Sequence, residues 1–290
     1  MALAAGQRTV PDDFYVHSCH CYFLLAGAGG QPIVLHVELV RDGRSFATRT
    51  VQARQRGRCI FTVTMSFVRA GSGGAEGHCV RHATPAPACP PAPADDDDDG
   101  AAAVQGPFLA RQVGGPDSGA PHHAQRLRMW VRARGRVSEA GGHRAHLNAL
   151  AYISDSHFIG TAARVHRLWR FPVPAAELGR LPAAARAQAR RLQGWGDDDG
   201  ADEDWEGRPE VGIMVSLDHT IYFHAPARVR ADEWMLSEME TPWADDGRAL
   251  VVQRIFARDG TLLATCFQEV SCLVPPRRGK WLADVRDRGF

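Results

Sequence analysis

Three polar residues in this chain have the types needed to activate a water molecule. They are Asp155 in Tyr152-Ile-Ser-Asp-Ser-His-Phe158, Ser216 in Val215-Ser-Leu-Asp-His-Thr-Ile-Tyr-Phe-His224, and Gln268 in Cys266-Phe-Gln-Glu-Val270. A carboxylate can take a proton from water, while a hydroxyl and an amide each donate and accept hydrogen bonds and so can hold that water in line with an electrophilic carbonyl. This is equipment for hydrolysis without a covalent intermediate. A nucleophilic serine of the Ser-His-Asp kind fits poorly, because the sequence has no Gly-x-Ser-x-Gly elbow.

The elements that must carry these residues follow from hydrophobic period. From His143 to Arg167, Leu147, Leu150, Ala151, Ser154, Phe158 and Ala162 recur at helical spacing, which predicts one long helix. Asp155 lies on the same stripe and would face the core, where a carboxylate needs a partner or a use; alternatively the helix bends or ends nearby and Asp155 caps it or meets water. Val211 to Phe223 reads as one strand, with Ser216 on the face of Met214, Asp218, Thr220 and Tyr222. A serine there can equally serve packing or a backbone hydrogen bond. Gln268 shares a face with Leu262, Ala264, Cys266, Val270 and Cys272, so its amide is either partnered in an apolar setting or belongs to an edge strand.

An internal repeat sets the number of folded units. His20-Cys-Tyr-Phe, Asp42-Gly43 and Gly57 recur in the same order as Thr220-Ile-Tyr-Phe, Asp246-Gly247 and Gly260. Hairpin turns bound β-rich runs in both copies, giving one meander over Pro32 to Arg41, Ser45 to Arg56 and Arg58 to Arg69. The second covers Glu233 to Thr241, Arg248 to Arg258 and Thr261 to Val274. Arg128-Met-Trp-Val-Arg-Ala-Arg-Gly reads as a strand ahead of the second helix. The first unit has no matching strand, and only Met1 to Val10 represents its helix, so the chain is expected to begin inside an element. The expected organisation is a first unit at 1–70, a Gly/Pro/Ala-rich acidic linker at 71–123, a second unit at 124–275 with an acidic insertion at 195–209, and a tail at 276–290.

Composition narrows the class. With 290 residues, 44% hydrophobic and 23% charged, the chain is a globular protein with room for a large core. Lys+Arg 34 against Asp+Glu 33 leaves a net charge of +1, so no overall field draws nucleic acid or an acidic membrane. No run is long enough to span a bilayer, and an intracellular protein is expected. Seven cysteines without a framework spacing read as reduced thiols. His17-Ser-Cys19-His20-Cys21 invites a metal reading, but no second ligand pair follows, so neither metal nor cofactor is expected.

Longer stretches carry a resemblance. Ser216 to Phe223, Ala227-Arg-Val-Arg-Ala-Asp-Glu-Trp-Met-Leu236 and Asp259-Gly-Thr-Leu-Leu-Ala-Thr-Cys-Phe-Gln-Glu269 resemble the acyl-CoA thioesterase II family. So do Thr9-Val-Pro11, Val16-His-Ser-Cys-His-Cys-Tyr-Phe-Leu24 and Leu39-Val-Arg-Asp-Gly-Arg-Ser-Phe-Ala-Thr-Arg49 in the first unit. The resemblance implies an α+β double hotdog, two units each with a long helix wrapped by an antiparallel sheet. It implies fatty acyl-CoA as substrate and self-association into dimers. It also implies an Asp, a Thr or Ser, and a Gln that orient water, which fall on Asp155, Ser216 and Gln268. Threonine is frequent at the second position; serine keeps the hydroxyl and loses the methyl that restrains it.

Other outcomes stay open at this stage. Asp12 to His17 has the spacing of a hotdog enoyl-CoA hydratase pair but lacks the intervening Asn-Pro. A unit without its first strand exposes a sheet edge, so a non-catalytic or inactive acyl-CoA-binding protein is the alternative. Relatives are often peroxisomal with a Ser-Lys-Leu-like end; this chain ends Asp-Arg-Gly-Phe, which leaves peroxisome and cytosol.

Overall fold

The computed structural model describes residues 1–74, 79–94, 106–114, 119–169, 177, 180–186 and 209–273. The run Asp95 to Asp99, nearly all of the expected insertion at 195–209 and the tail at 276–290 lie outside the described residues. The elements of the first unit are α1 (Ala2–Gln7), β1 (Phe14–Phe23), β2 (Val34–Asp42), β3 (Phe46–Gln55) and β4 (Arg58–Arg69). In the second they are β5 (Phe108–Gln112), β6 (Leu127–Ala133), α2 (Gly142–Asp155), α3 (Gly160–Val165), β7 (Ile213–Ser216), β8 (Asp218–Phe223), β9 (Met235–Asp245), β10 (Arg248–Phe256) and β11 (Leu262–Leu273). Two of the hairpins turn on paired left-handed residues, Arg56 and Gly57 at φ 48° and 78°, Asp246 and Gly247 at φ 50° and 69°. Such turns match the twist of the strands they join, which explains why Arg-Gly and Asp-Gly mark them.

Among the described residues all strands join one antiparallel sheet of 11, in the order β2-β3-β4-β1-β8-β11-β10-β9-β6-β5, with β7 also on β11. The units meet where β1 pairs with β8, from Ser18 opposite Tyr222 to Tyr22 opposite Asp218. Their sheets are therefore continuous rather than merely adjacent. One face is apolar: Val16, Cys19, Met65 and Phe67 from the first unit and Ile221, Phe223, Ala264 and Cys266 from the second share a core with Leu147 and Leu150 of α2. Each unit thus lays its helix on the same side of the sheet, the α+β arrangement expected. The helices meet where Asn148 Nδ2 donates to Gln7 Oε1 at 3.0 Å and the Arg144 guanidinium to the Val10 and Pro11 carbonyls at 2.9 and 2.8 Å. A Cβ at Gly6 would stand 2.4 Å from Met65 Sδ, so a side chain there would push α1 off the sheet.

Several sequence expectations need correction. The helix expected from His143 to Arg167 is two helices, because α2 ends at Asp155 and the chain turns through Ser156 to Ile159 before α3. The turn drives Phe158 into the core, where it is fully buried against the His219 ring at 5.4 Å. Within the stretch expected as linker, β5 pairs with β6 from Phe108 opposite Ala133 to Gln112 opposite Met129. Ahead of it Ala86, Cys89 and Ala92 pack on Trp130 and Trp234, whose indoles donate to the Pro90 and Ala94 carbonyls at 3.2 and 3.4 Å. The run from Val211 to Phe223 is two strands, β7 and β8.

At the ends of the sheet the units differ. The far edge of β9 is covered by β6, whereas β2 has a strand on one side alone among the described residues. In the His17 to Cys21 cluster, strand alternation buries Cys19 and Cys21 and exposes His20 on the opposite face. The side chains that suggested a ligand set point apart.

Candidate active site

Asp155 closes the last turn of α2, and the buried Gln268 of β11 reaches it: Gln268 Nε2 donates to Asp155 Oδ1 at 2.7 Å. A carboxylate accepts and cannot donate, so the amide nitrogen must face it. Gln268 Oε1 is consequently left buried with no hydrogen-bond partner. An unsatisfied buried acceptor costs about 1–3 kcal/mol, which a donor entering the site relieves. Asp155 is held toward the sheet although its helix ends there, so the sequence alternatives of a core-facing and a terminal carboxylate are both realised.

Ser216 reaches this face through a break in strand register. Thr220 lies opposite Phe267, and Ser216 lies opposite Val270. Four steps along β7–β8 therefore match three along β11, which makes Leu217 the extra residue of a β-bulge. Without the bulge Ser216 would share the face of Asp218 and Thr220, as the sequence alternation suggested. With it, Ser216 is opposite the fully buried Val270 and so on the side of Gln268, as a diagonal neighbour about 7 Å away. The structure corrects the strand face of Ser216 while bringing it toward the other two residues.

The backbone accounts for the bulge. Leu217 N–H donates to the Glu269 carbonyl at 2.9 Å, while the Leu217 carbonyl turns away and accepts from Phe23 N–H at 3.0 Å in the first unit. Glu269 N–H then lacks its usual strand partner, and Asp218 Oδ1 accepts it at 2.7 Å.

His219 occupies the inner face of β8 opposite Cys21 of β1 and is 5% exposed. Its Nε2 is 3.1 Å from Ser154 Oγ, whose own proton goes to the Ala151 carbonyl at 3.0 Å, so the imidazole is the donor. Burial lowers its pKa against the opposing pull of the Asp155 and Asp218 charges, so the ring is neutral. Its Nδ1 is buried without a partner. The thiols around it are un-ionised: burial pushes Cys19 up to about 12 and raises Cys21 and Cys266 further. No thiolate nucleophile is available among these three. Sequence reasoning missed His219; a histidine beside an acidic residue in a strand announces no role until its neighbours are known.

Past the Ser216–Val270 row, an open cavity of about 480 Å³ is walled by Ala162, Leu168, Ala249 and Cys272, with His166, Asp245, Asp246 and Arg248 on its polar side. Ala249 pairs with Val270, so the cavity adjoins the row carrying Ser216.

Comparison with known proteins gives this geometry its context. The family model described as the acyl-CoA thioesterase C-terminal domain matches residues 86–272, and that of the acyl-CoA thioesterase N-terminal domain matches residues 1–68. Acyl-coenzyme A thioesterase 8 of Mus musculus is 33% identical over 291 residues, covering 92% of this chain and 76% of that protein. Among solved structures, an acyl-CoA thioesterase II, TesB2, from Mycobacterium marinum superposes with a TM-score of 0.65 and 30% identity over 96% of this chain and 88% of that one. A hot dog fold protein from Alicyclobacillus acidocaldarius superposes at 0.53 with 18% identity over 95% and 85%, a likeness of fold.

Proposed function

This chain belongs to the acyl-CoA thioesterase family, and from that premise we propose that Asp155, Ser216 and Gln268 activate water to hydrolyse fatty acyl-CoA to free fatty acid and CoA. The observation that carries the assignment of residues is the Gln268–Asp155 hydrogen bond, with the vacant Gln268 Oε1 beside it. A water accepting from Ser216 and donating to Gln268 Oε1 and Asp155 has its lone pair free for the thioester carbonyl carbon. As the C–O bond forms, the water proton passes to Asp155. The tetrahedral intermediate then expels the CoA sulfur, which takes that proton and leaves as the thiol. The thioester is already electrophilic, so one positioned base and a fixed water supply the main requirements. The un-ionised thiols of Cys19, Cys21 and Cys266 favour a water nucleophile over a thiolate one.

In the same proposal the acyl chain lies along the apolar side of the adjoining cavity, formed by Ala162, Leu168 and Ala249. Dimers belong to the same proposal, with support from the outer face of the sheet, where Tyr22, Val215, Tyr222 and Phe267 are exposed. For the compartment we favour the peroxisome, on the name of one yeast relative, a peroxisomal acyl-coenzyme A thioester hydrolase matching 66 residues at 38% identity.

The test is Asp155→Asn, which keeps the shape and a hydrogen-bond acceptor for Gln268 but cannot take a proton. Thiol release from acyl-CoA should fall about 10²- to 10⁴-fold with acyl-CoA binding retained. Parental turnover in this variant would remove Asp155 as the base. Binding without turnover in the parent protein would instead favour the acyl-CoA-binding alternative.

A further inference from the structure

The bulge at Leu217 is held by a residue outside the water-activating group. Taking Ser216 and Gln268 as the water-holding groups proposed above, we infer that Asp218 is a positioning residue for the reaction. Its carboxylate replaces the backbone acceptor missing for Glu269 N–H and so fixes the register that turns Ser216 inward.

The geometry links the three residues through covalent neighbours. Glu269 directly follows Gln268, and its N–H is bound by Asp218 Oδ1 at 2.7 Å. Asp218 is two residues from Ser216, across the bulged Leu217. Regular pairing would offer Glu269 N–H a carbonyl of the neighbouring strand, but the Leu217 carbonyl is engaged by Phe23 N–H at 3.0 Å. Relaxing into the unbulged ladder would return that carbonyl to β11 and turn Ser216 to the outer face with Thr220. A strong acceptor at Asp218 removes the incentive for this slip, because a charge-assisted bond to a backbone N–H is roughly twice as strong as a neutral one. Strand register is otherwise poorly defended where a bulge adjoins a strand of only four residues, as β7 is. Asp218 faces away from the core, opposite Tyr22 of β1, and so touches neither water nor substrate in this role.

The experiment compares Asp218→Ala, Asp218→Asn, Ser216→Ala and the double variant Asp218→Ala with Ser216→Ala, by steady-state thiol release from acyl-CoA. Asp218→Ala should lower kcat at least 10-fold with KM within 2-fold of the parent. Asp218→Asn keeps a weaker acceptor oxygen in place and should lose only about 3-fold. The double variant should be no slower than Ser216→Ala alone, since both changes remove the same hydroxyl from the site. Full multiplication of the two losses would overturn the inference, as would parental kcat in Asp218→Ala while Ser216→Ala is slow. If Ser216→Ala itself turned over at the parental rate, the water-holding role of Ser216 would fall first, and that of Asp218 with it. Should Asp218→Ala not fold, amide hydrogen exchange in Asp218→Asn decides: Glu269 N–H should exchange several-fold faster than in the parent, and unchanged exchange with unchanged kcat would overturn the inference.

Discussion

Replacing Gln268 with Glu converts the amide that faces Asp155 into a second ionisable group and tests the arrangement by its pH dependence. The parent amide donates at 2.7 Å and does not titrate. A protonated carboxyl in its place can donate to Asp155 and keep a carbonyl oxygen where Gln268 Oε1 lies, so the geometry survives with one proton on the pair. Once that proton is lost, two anions face each other in a buried site. At an effective dielectric constant of 20, two charges 4 Å apart repel by about 4 kcal/mol. At about 1.36 kcal/mol per pH unit this delays loss of the shared proton by about 3 units, from near the ordinary glutamate value of about 4.3 to about 7. Activity of Gln268→Glu should therefore be substantial near pH 5.5 and fall roughly tenfold per pH unit well above 7. The assay is initial-rate thiol release between pH 5 and 9, corrected for spontaneous thioester hydrolysis, beside the parent and Gln268→Leu. Gln268→Leu removes the donor at every pH and should be slow throughout. If Gln268→Glu followed the parent's pH profile at a uniformly scaled rate, the Gln268 amide would not be the group controlling Asp155 during turnover.

Two further outcomes follow from burial. Cys19, Cys21 and Cys266 are buried with raised pKa values, so brief iodoacetamide treatment at pH 8 should modify the half-buried Cys59 or Cys79 first and leave those three intact; mass spectrometry of the digested protein checks it. His17, His143, His166, His219 and His224 all have pKa values lowered chiefly by burial. Below about 6.5 the unfolded chain gains protons that the folded one excludes, so stability is intact above that pH and lost as the pH falls toward the folded-state values. For the deeply buried His219 the slope approaches about 1.4 kcal/mol per pH unit, and melting temperatures measured from pH 7.5 to 5 should drop steadily.

The meanders were legible because their turns use residues that tolerate left-handed backbone, as at Asp246-Gly247, and because apolar alternation defines a strand face. The Leu217 bulge was not. It depends on which partner strand takes the Leu217 carbonyl, and that partner, Phe23, lies far away in the sequence. Alternation alone therefore placed Ser216 on the wrong side. The break in the long helix was hidden for a similar reason: Ser156 to Ile159 contains neither Gly nor Pro, and the turn is stabilised by burying Phe158 against His219. Gln268 was found as an amide in an apolar row, and it is the place of β11 between β8 and β10, with the bond to Asp155, that distinguishes it from an edge glutamine. The strand at Phe108–Gln112 was obscured by its Gly- and Pro-rich surroundings, although its pairing with Leu127–Ala133 is regular.

The seam between β1 and β8 also has a consequence for synthesis. Its partners are remote in the chain: His20 contacts Thr220, 200 residues later, with Nδ1 and Oγ1 at 3.2 Å. At about 5–20 residues per second, β1 leaves the ribosome roughly 10–40 s before β8 exists to cover its open edge. Throughout that interval the edge from Ser18 to Tyr22, which β8 later covers, is available to any passing strand. The nascent first half is thus a client for chaperones or an early aggregation site, and the speed of translation between the two halves sets how long that exposure lasts.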